Sequence, residues 1–228
     1  RQGRLVVEPR RHRYLPASLT SVLLPDDVTP TDFQIVAERA TRVNVRVIEM
    51  VTDLVTKETV LDLFVTDGRI NADPGRDLVK VAAIDRTHVP GKTFVGLIKG
   101  FGLKAGALAC SAAWDTSDII VAGADDGDMA IAVNRIRKLQ GGVVVAADGA
   151  IEAELPLPVF GLMSEEPLER VAAKLAEIKA SVNRLGCPFP DPLLTLVTLT
   201  GAAIPYLRIC EEGLVNLKNG ATVGLFAN

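Results

Sequence analysis

The chain has 228 residues and a mass of 24.3 kDa, and it is 48% hydrophobic and 23% charged, enough for one large domain or two small ones and too apolar for a disordered segment. Lys+Arg at 25 against Asp+Glu at 28 gives a formal charge of −3 and a pI near 5.5, which leaves no basic footprint for nucleic acid. The longest nearly apolar stretch, 193–204, is interrupted by Thr195, Thr198, Thr200 and Gly201 and falls short of the ~20 residues of a membrane helix, so no membrane is expected as a partner.

Cys110, Cys187 and Cys210 form no Cys-x-x-Cys pair, and His12 and His88 are too few and too far apart for a self-contained metal site. A reducing, cytoplasmic setting is expected. The first residue is Arg1 and the first methionine is Met50, with no apolar signal-peptide core between them, which predicts a fragment, a processed chain or a released domain. Five arginines between Arg1 and Arg13 read as a solvated connector, because the positive charge does not continue.

Strand signals dominate the first two thirds. Val43, Val45 and Val47 alternate with polar residues over 42–47, the period of a half-buried strand. The runs 78–84, 105–110, 119–122 and 143–147 are short, β-branched or small, and bounded by Gly and Asp, as in strands buried in a sheet. Asp148-Gly149 then separates 143–147 from 150–155, a hairpin signal.

Two helices follow from periodicity. Asp125 or Asp126 caps the first, Met129, Val133, Ile136 and Leu139 or Gln140 recur at helical spacing, and Gly141-Gly142 ends it. The second is expected to start at Ser164 as cap, with Glu165 and Glu166 near its positive end and Pro167 in its first turn. Its stripe is Leu168, Val171, Leu175, Ile178, Val182 and Leu185, with Gly186 beyond. Pro188, Pro190 and Pro192 break the chain before an apolar segment at 193–199, and strand-like pieces follow at 206–209, 214–217 and 222–226. A break between two lobes is conceivable at 156–163, but one sheet accommodates the elements on both sides, and one domain is expected. The pattern reads as α+β or mixed α/β.

Chemistry-bearing residues crowd at two places beside predicted buried strands. The first is Asp85-Arg86-Thr87-His88, leading through Gly91 to the glycine-spaced stretch Gly96, Gly100, Gly102, where His88 offers an acid/base. Those glycines fit neither a dinucleotide fingerprint nor a Walker loop. The second is Ser111-Ala112-Ala113-Trp114-Asp115-Thr116-Ser117-Asp118, with the only tryptophan; carboxylates, hydroxyls and a flat aromatic suit a planar, hydrogen-bonding ligand, and equally suit a polar turn.

This strand-loop-strand-helix block resembles the C-terminal domain of bacterial and archaeal adenine deaminases of the amidohydrolase superfamily. The resemblance runs through Gly3-Arg4-Leu5, Lys99-Gly100-Phe101-Gly102-Leu103-Lys104, Asp118-Ile119-Ile120-Val121-Ala122-Gly123, Asp128-Met129-Ala130, Ala132-Val133-Asn134 and Gly141-Gly142. It continues through Leu155-Pro156-Leu157-Pro158, Gly161-Leu162-Met163-Ser164, Asp191-Pro192 and Ile204-Pro205. It implies an α+β domain, a mixed β-sheet with several helices packed on it, over residues 17–228. Residues 1–16 would be the linker from a preceding metal-binding barrel.

It further implies hydrolytic deamination of adenine to hypoxanthine and ammonia in the intact protein, by a hydroxide activated on a divalent metal (manganese, iron or zinc) that the barrel holds. No metal ligand is assigned to this chain, which alone is expected to be inactive while completing the active-site cleft or a homo-oligomer. The chain departs from the family pattern at the two polar places. Trp114-Asp115-Thr116-Ser117-Asp118 stands where the family reads His-Asp-Ser-His-Asn, and Asp85-Arg86-Thr87-His88 where it reads Glu-Arg-His-His. Catalytic candidates are therefore His88 and Asp115, and substrate-binding candidates are Arg86, Ser111, Trp114, Asp115 and Asp118. The alternatives are a divergent amidohydrolase acting on another heterocyclic amine or amide, and a purely structural or oligomerisation domain.

Overall fold

A computed structural model describes residues 20–38, 40–113 and 115–227, so the arginine-rich opening and the linker 1–16 lie outside the described residues. In chain order the strands are β1 (Ile35–Val36), β2 (Arg42–Met50), β3 (Thr56–Phe64), β4 (Arg69–Ile70), β5 (Leu78–Asp85), β6 (Thr93–Lys99), β7 (Ala107–Cys110) and β8 (Asp118–Gly123). Helix α1 (Asp126–Leu139) and the hairpin β9 (Gly142–Ala147) and β10 (Ala150–Pro156) come next. After them run α2 (Leu168–Arg184), α3 (Pro192–Val197) and the meander β11 (Leu207–Cys210), β12 (Gly213–Asn216) and β13 (Ala221–Val223).

Eight strands form one mixed sheet in the order β10-β9-β7-β8-β5-β6-β2-β3, antiparallel throughout except where β2 lies parallel to β6. The fold is α+β, as the pattern of elements predicts. One face carries α2, α3 and the β11–β13 meander, whose Ile178, Val182, Leu196 and Ile209 pack on Val79, Val81, Ile120 and Val143. The other face carries α1, whose Met129, Val133 and Ile136 pack on Ile84, Ala109, Val121 and Val144. The paired β1 and β4 extend that second layer over β2 and β6 through Ile35, Ile70, Val45 and Leu97.

This sandwiching explains why β5, β7, β8 and β9 read as continuous apolar runs: every residue in all four is buried. Burying one aliphatic side chain contributes about 2 kcal/mol, so these strands anchor the domain. Inside β5, before its terminal Asp85, the exception to apolar composition is Lys80, whose Nζ reaches Asp126 in the first turn of α1 at 2.7 Å.

The local signals were realised in several places. Asp125 caps α1 by accepting the Asp128 N–H at 2.9 Å. Asp148 and Gly149, with φ of 52° and 78°, turn β9 into β10 as the hairpin signal predicts. Elsewhere the structure corrects the expectation. Helix α2 begins only at Leu168, with Pro167 as its N-cap; the extended ψ of 148° at Pro167 keeps the preceding residues out of the helix, and Ser164 Oγ accepts the Glu166 N–H in a separate turn. Of the glycine-spaced stretch, Gly96 lies inside β6 between β5 and β2, while Gly100 and Gly102 follow that strand. The apolar segment after the prolines is helical at its start, because Asp191 accepts the Leu194 N–H and Pro192 supplies a pre-set φ at the first position.

Gly141 fixes how the chain leaves the sheet beyond β10. At φ 127° it lies so close to the 157–161 backbone that a Cβ there would stand 2.4 Å from Gly161 Cα and from the Leu157 carbonyl oxygen. Gly149 has a positive φ with open space around it. Gly141→Ala is therefore expected to lower the unfolding free energy by about 3 kcal/mol, from steric displacement added to backbone strain, and Gly149→Ala by about 1 kcal/mol. Urea denaturation of the two variants side by side measures the difference.

Candidate functional site

The antiparallel register brings the polar residues to one end of the sheet. Asp85 closes β5 and stands directly opposite Asp118, which opens β8. On the next strand β7 ends at Cys110, opposite Val143 near the start of β9, and Ser111 follows. Because the interior of these strands has no solvent-facing row, polar side chains collect where the strands stop.

Asp85 and Asp118 have opposite environments. The Asp85 carboxylate, although buried, accepts backbone N–H groups from Thr87 (2.8 Å), His88 (2.9 Å) and Val89. Burial pushes its pKa up, but these three donors outweigh it and hold the group below the usual carboxylate range. Asp118 is fully buried, and neither carboxylate oxygen has a hydrogen-bond partner among the described residues. Burial, aided by the negative charges of Glu211 and Asp85, pushes its pKa up to about 6; the Thr116 hydroxyl and the Glu211 N–H lie near enough to ease this without reaching hydrogen-bond geometry.

Arg86 is buried beside them. Its Nη1 donates to the Ser21 carbonyl at 2.6 Å, while Nε has no partner among the described residues. Burial lowers its pKa, and Cys110, Asp118 and Asp85 act in the opposite direction. The loop after β10 presses on the guanidinium, since a Cβ at Gly161 would stand 3.1 Å from Arg86 Cζ. Ser111 fixes the same loop: its Oγ donates to the Gly161 carbonyl at 2.7 Å and accepts the Gly142 N–H at 2.9 Å. The Cys110 thiol, pushed up to about 12 by burial, is no nucleophile.

The structure thus brings Arg86, Ser111 and Asp118 together with Asp85. His88 and Asp115 sit on the rim instead. The His88 side chain is 77% exposed, with Nδ1 3.0 Å from Thr87 Oγ1 and 3.9 Å from Asp85. Asp115 is exposed and accepts the Ala202 N–H at 2.9 Å, tying its loop to the turn after α3. Trp114 lies outside the described residues. Ser21, Gly161, Thr116 and Glu211 complete the cluster. Sequence reading missed Ser21, Gly161 and Glu211 because separate elements, far apart in the chain, supply them.

Beside this cluster, on the α2 and α3 face, lies a mostly apolar groove of about 760 Å³. Cys110, Leu157, Met163, Leu175 and Leu194 are among its walls, and Leu168 at its edge is 78% exposed. Among the described residues no three of His, Cys, Asp and Glu converge on one point as metal ligands. The donor set also speaks against a divalent ion here, because Asp85 is spent on backbone N–H groups and Asp118 lies beside a guanidinium.

The family model described as the adenine deaminase C-terminal domain matches residues 53–221, which contain Asp85, Arg86, Ser111 and Asp118. The chain belongs to the adenine deaminase C-terminal domain family. It is 34% identical over 227 residues to an adenine deaminase of Clostridium botulinum (strain 657 / Type Ba4), covering 99% of this chain and 38% of that protein. It is 38% identical over 216 residues to the adenine deaminase of Moorella thermoacetica, covering 94% and 36%. With the adenine deaminase of Kosmotoga olearia it shares 37% identity over 225 residues, covering 98% and 38%. The chain therefore spans little more than a third of the length of these curated relatives.

Because the folded pKa of Asp118 is raised, its ionisation opposes folding: the stability present below about pH 4 is lost as pH rises through about 6. Asp118→Asn removes that loss. The variant is expected to exceed the parent in unfolding free energy by up to about 3 kcal/mol at pH 7.5, the gain vanishing near pH 4. Urea denaturation across this range gives the difference; a gain independent of pH would contradict it.

Proposed function

We propose that this chain is the C-terminal domain of an adenine deaminase, acting within a longer protein that hydrolyses adenine to hypoxanthine and ammonia. The observation that carries the reading is the match of residues 53–221 to the adenine deaminase C-terminal domain model. In this reading residues 1–16 are the linker from a preceding barrel domain, and residues 17–228 are the domain. The divalent metal, manganese, iron or zinc, belongs to the barrel, in keeping with the unsuitable donor set found here. The intact protein is a cytoplasmic homo-oligomer.

Arg86, Ser111 and Asp118 are the inner residues of the face that closes on the purine. Ser111 acts by pinning the 157–164 loop, since its hydroxyl is already committed. His88 and Asp115 belong to the outer rim, where a preceding domain would meet them. A second role is favoured by the groove, whose exposed Leu168, Met163 and Leu194 suit burial against another domain or subunit.

The intact protein with added divalent metal is expected to convert adenine to hypoxanthine, and the 228-residue chain alone to give no turnover. Arg86→Met in the intact protein is expected to lower kcat/KM by ~10-fold or more, as loss of a buried guanidinium beside the site would. If another heterocyclic amine or amide is the better substrate, the divergent-amidohydrolase reading replaces this one. Leu168→Asp with Leu194→Asp tests the second role: light scattering of the intact protein is expected to show a smaller assembly, and an unchanged mass would remove it.

A further inference from the structure

Buried polar atoms without partners are concentrated at one place. Of the seven such side-chain atoms among the described residues, five belong to Ser21, Arg86, Thr116 and Asp118 at this sheet end: Ser21 Oγ, Arg86 Nε, Thr116 Oγ1 and both Asp118 oxygens. Native interiors leave few such groups, and a cluster of them calls for a physical explanation. A guanidinium and a carboxylate, both buried and near enough to act on each other, make no ion pair. With both charged, that arrangement is costlier than either protonating the acid or joining the two.

Arg86 also holds the chain's entry. Its Nη1 binds the Ser21 carbonyl and its own carbonyl accepts the Leu23 N–H at 2.9 Å, so residues 21–23 are strapped across the end of β5. Farther along, Arg137 donates to the Leu24 carbonyl at 3.0 Å, and Asn134 brackets Val28 from both sides. The Arg86 contacts are the part of the strap that touches the polar cluster.

We propose that Asp118 and Arg86 form a proton-controlled latch: protonated Asp118 leaves the guanidinium on the Ser21 carbonyl, and ionised Asp118 draws it away, loosening the 21–23 strap and the 157–164 loop that rests on it. The other groups facing the pair do not replace it. Asp85, on the adjacent strand, keeps its charge through three backbone donors, with exposed His88 beside it. Glu211, after β11, adds negative charge that favours the protonated state, and the Cys110 and Cys210 thiols are raised by burial and stay neutral. The latch switches where Asp118 titrates, about pH 6. It regulates the same sheet end that the deaminase reading uses and rests on that reading for its consequence in catalysis. Its test needs no substrate, so the two fail separately.

The test is an NMR titration of the 228-residue chain, following the Asp118 carboxyl carbon and the Arg86 Nε–H together. Both are expected to shift with one midpoint, and at pH about 7.5 the Leu23 amide is expected to exchange with solvent ~10-fold faster than in Asp118→Asn, with equal rates near pH 4.5. An Arg86 Nε–H that stays flat while Asp118 titrates overturns the latch, as does equal Leu23 exchange at the higher pH. Should Asp118→Asn fail to fold, the titration of the unmodified chain decides alone.

Discussion

Covering both faces of the central strands governs the rest of the molecule. Once β5, β7, β8 and β9 are enclosed between α1 on one side and α2, α3 and the meander on the other, no position inside them tolerates an unpaired polar group. Lys80 is admitted because Asp126 meets its ammonium. Every other charged side chain on these strands is moved to an end, which is how Asp85 and Asp118 come to face each other across one register pair.

That placement separates two carboxylates that are chemically alike. The turn following Asp85 curls its N–H groups onto one carboxylate, whereas the described residues of the loop preceding Asp118 deliver none to the other. Identical side chains on neighbouring strands thus differ because the backbone turns around one of them. Arg86 links this difference to the chain's entry, since the same guanidinium feels Asp118 and grips the Ser21 carbonyl.

What was legible in the sequence was local. The alternation at Val43, Val45 and Val47, the Asp148-Gly149 turn and the Asp125 cap each act through neighbours within a few residues, and each was realised. Strand β6 was hidden because Gly96 breaks its apolar run, although a glycine between two strands suits a place where Leu214 and Ile209 of the covering meander approach closely. Helix α3 was hidden because three prolines were read as breakers when one of them, Pro192, sits at a helix start. The same division applies to the site. Arg86, Ser111 and Asp118 stood out as polar residues flanking apolar runs, but nothing in the sequence distinguished them from His88 and Asp115, which the turns direct outward. Ser21 and Gly161, lying 65 residues from Arg86 and 50 residues from Ser111, reach the cluster only through the folded sheet.

At this sheet end a buried carboxyl is placed where a proton can move near neutral pH. A histidine offers a proton that moves near neutral pH because its own chemistry sets it there. A carboxyl reaches that range only when the protein withholds water and partners, as it does for Asp118. Keeping such a group costs stability, and the cost persists only while Thr116, Glu211 and the buried strand ends stay packed around it. The glycines that let the 157–164 loop close over Arg86 are therefore part of the same arrangement: a side chain at Gly161 would push the guanidinium aside, and one at Gly141 would lift the loop that rests on it.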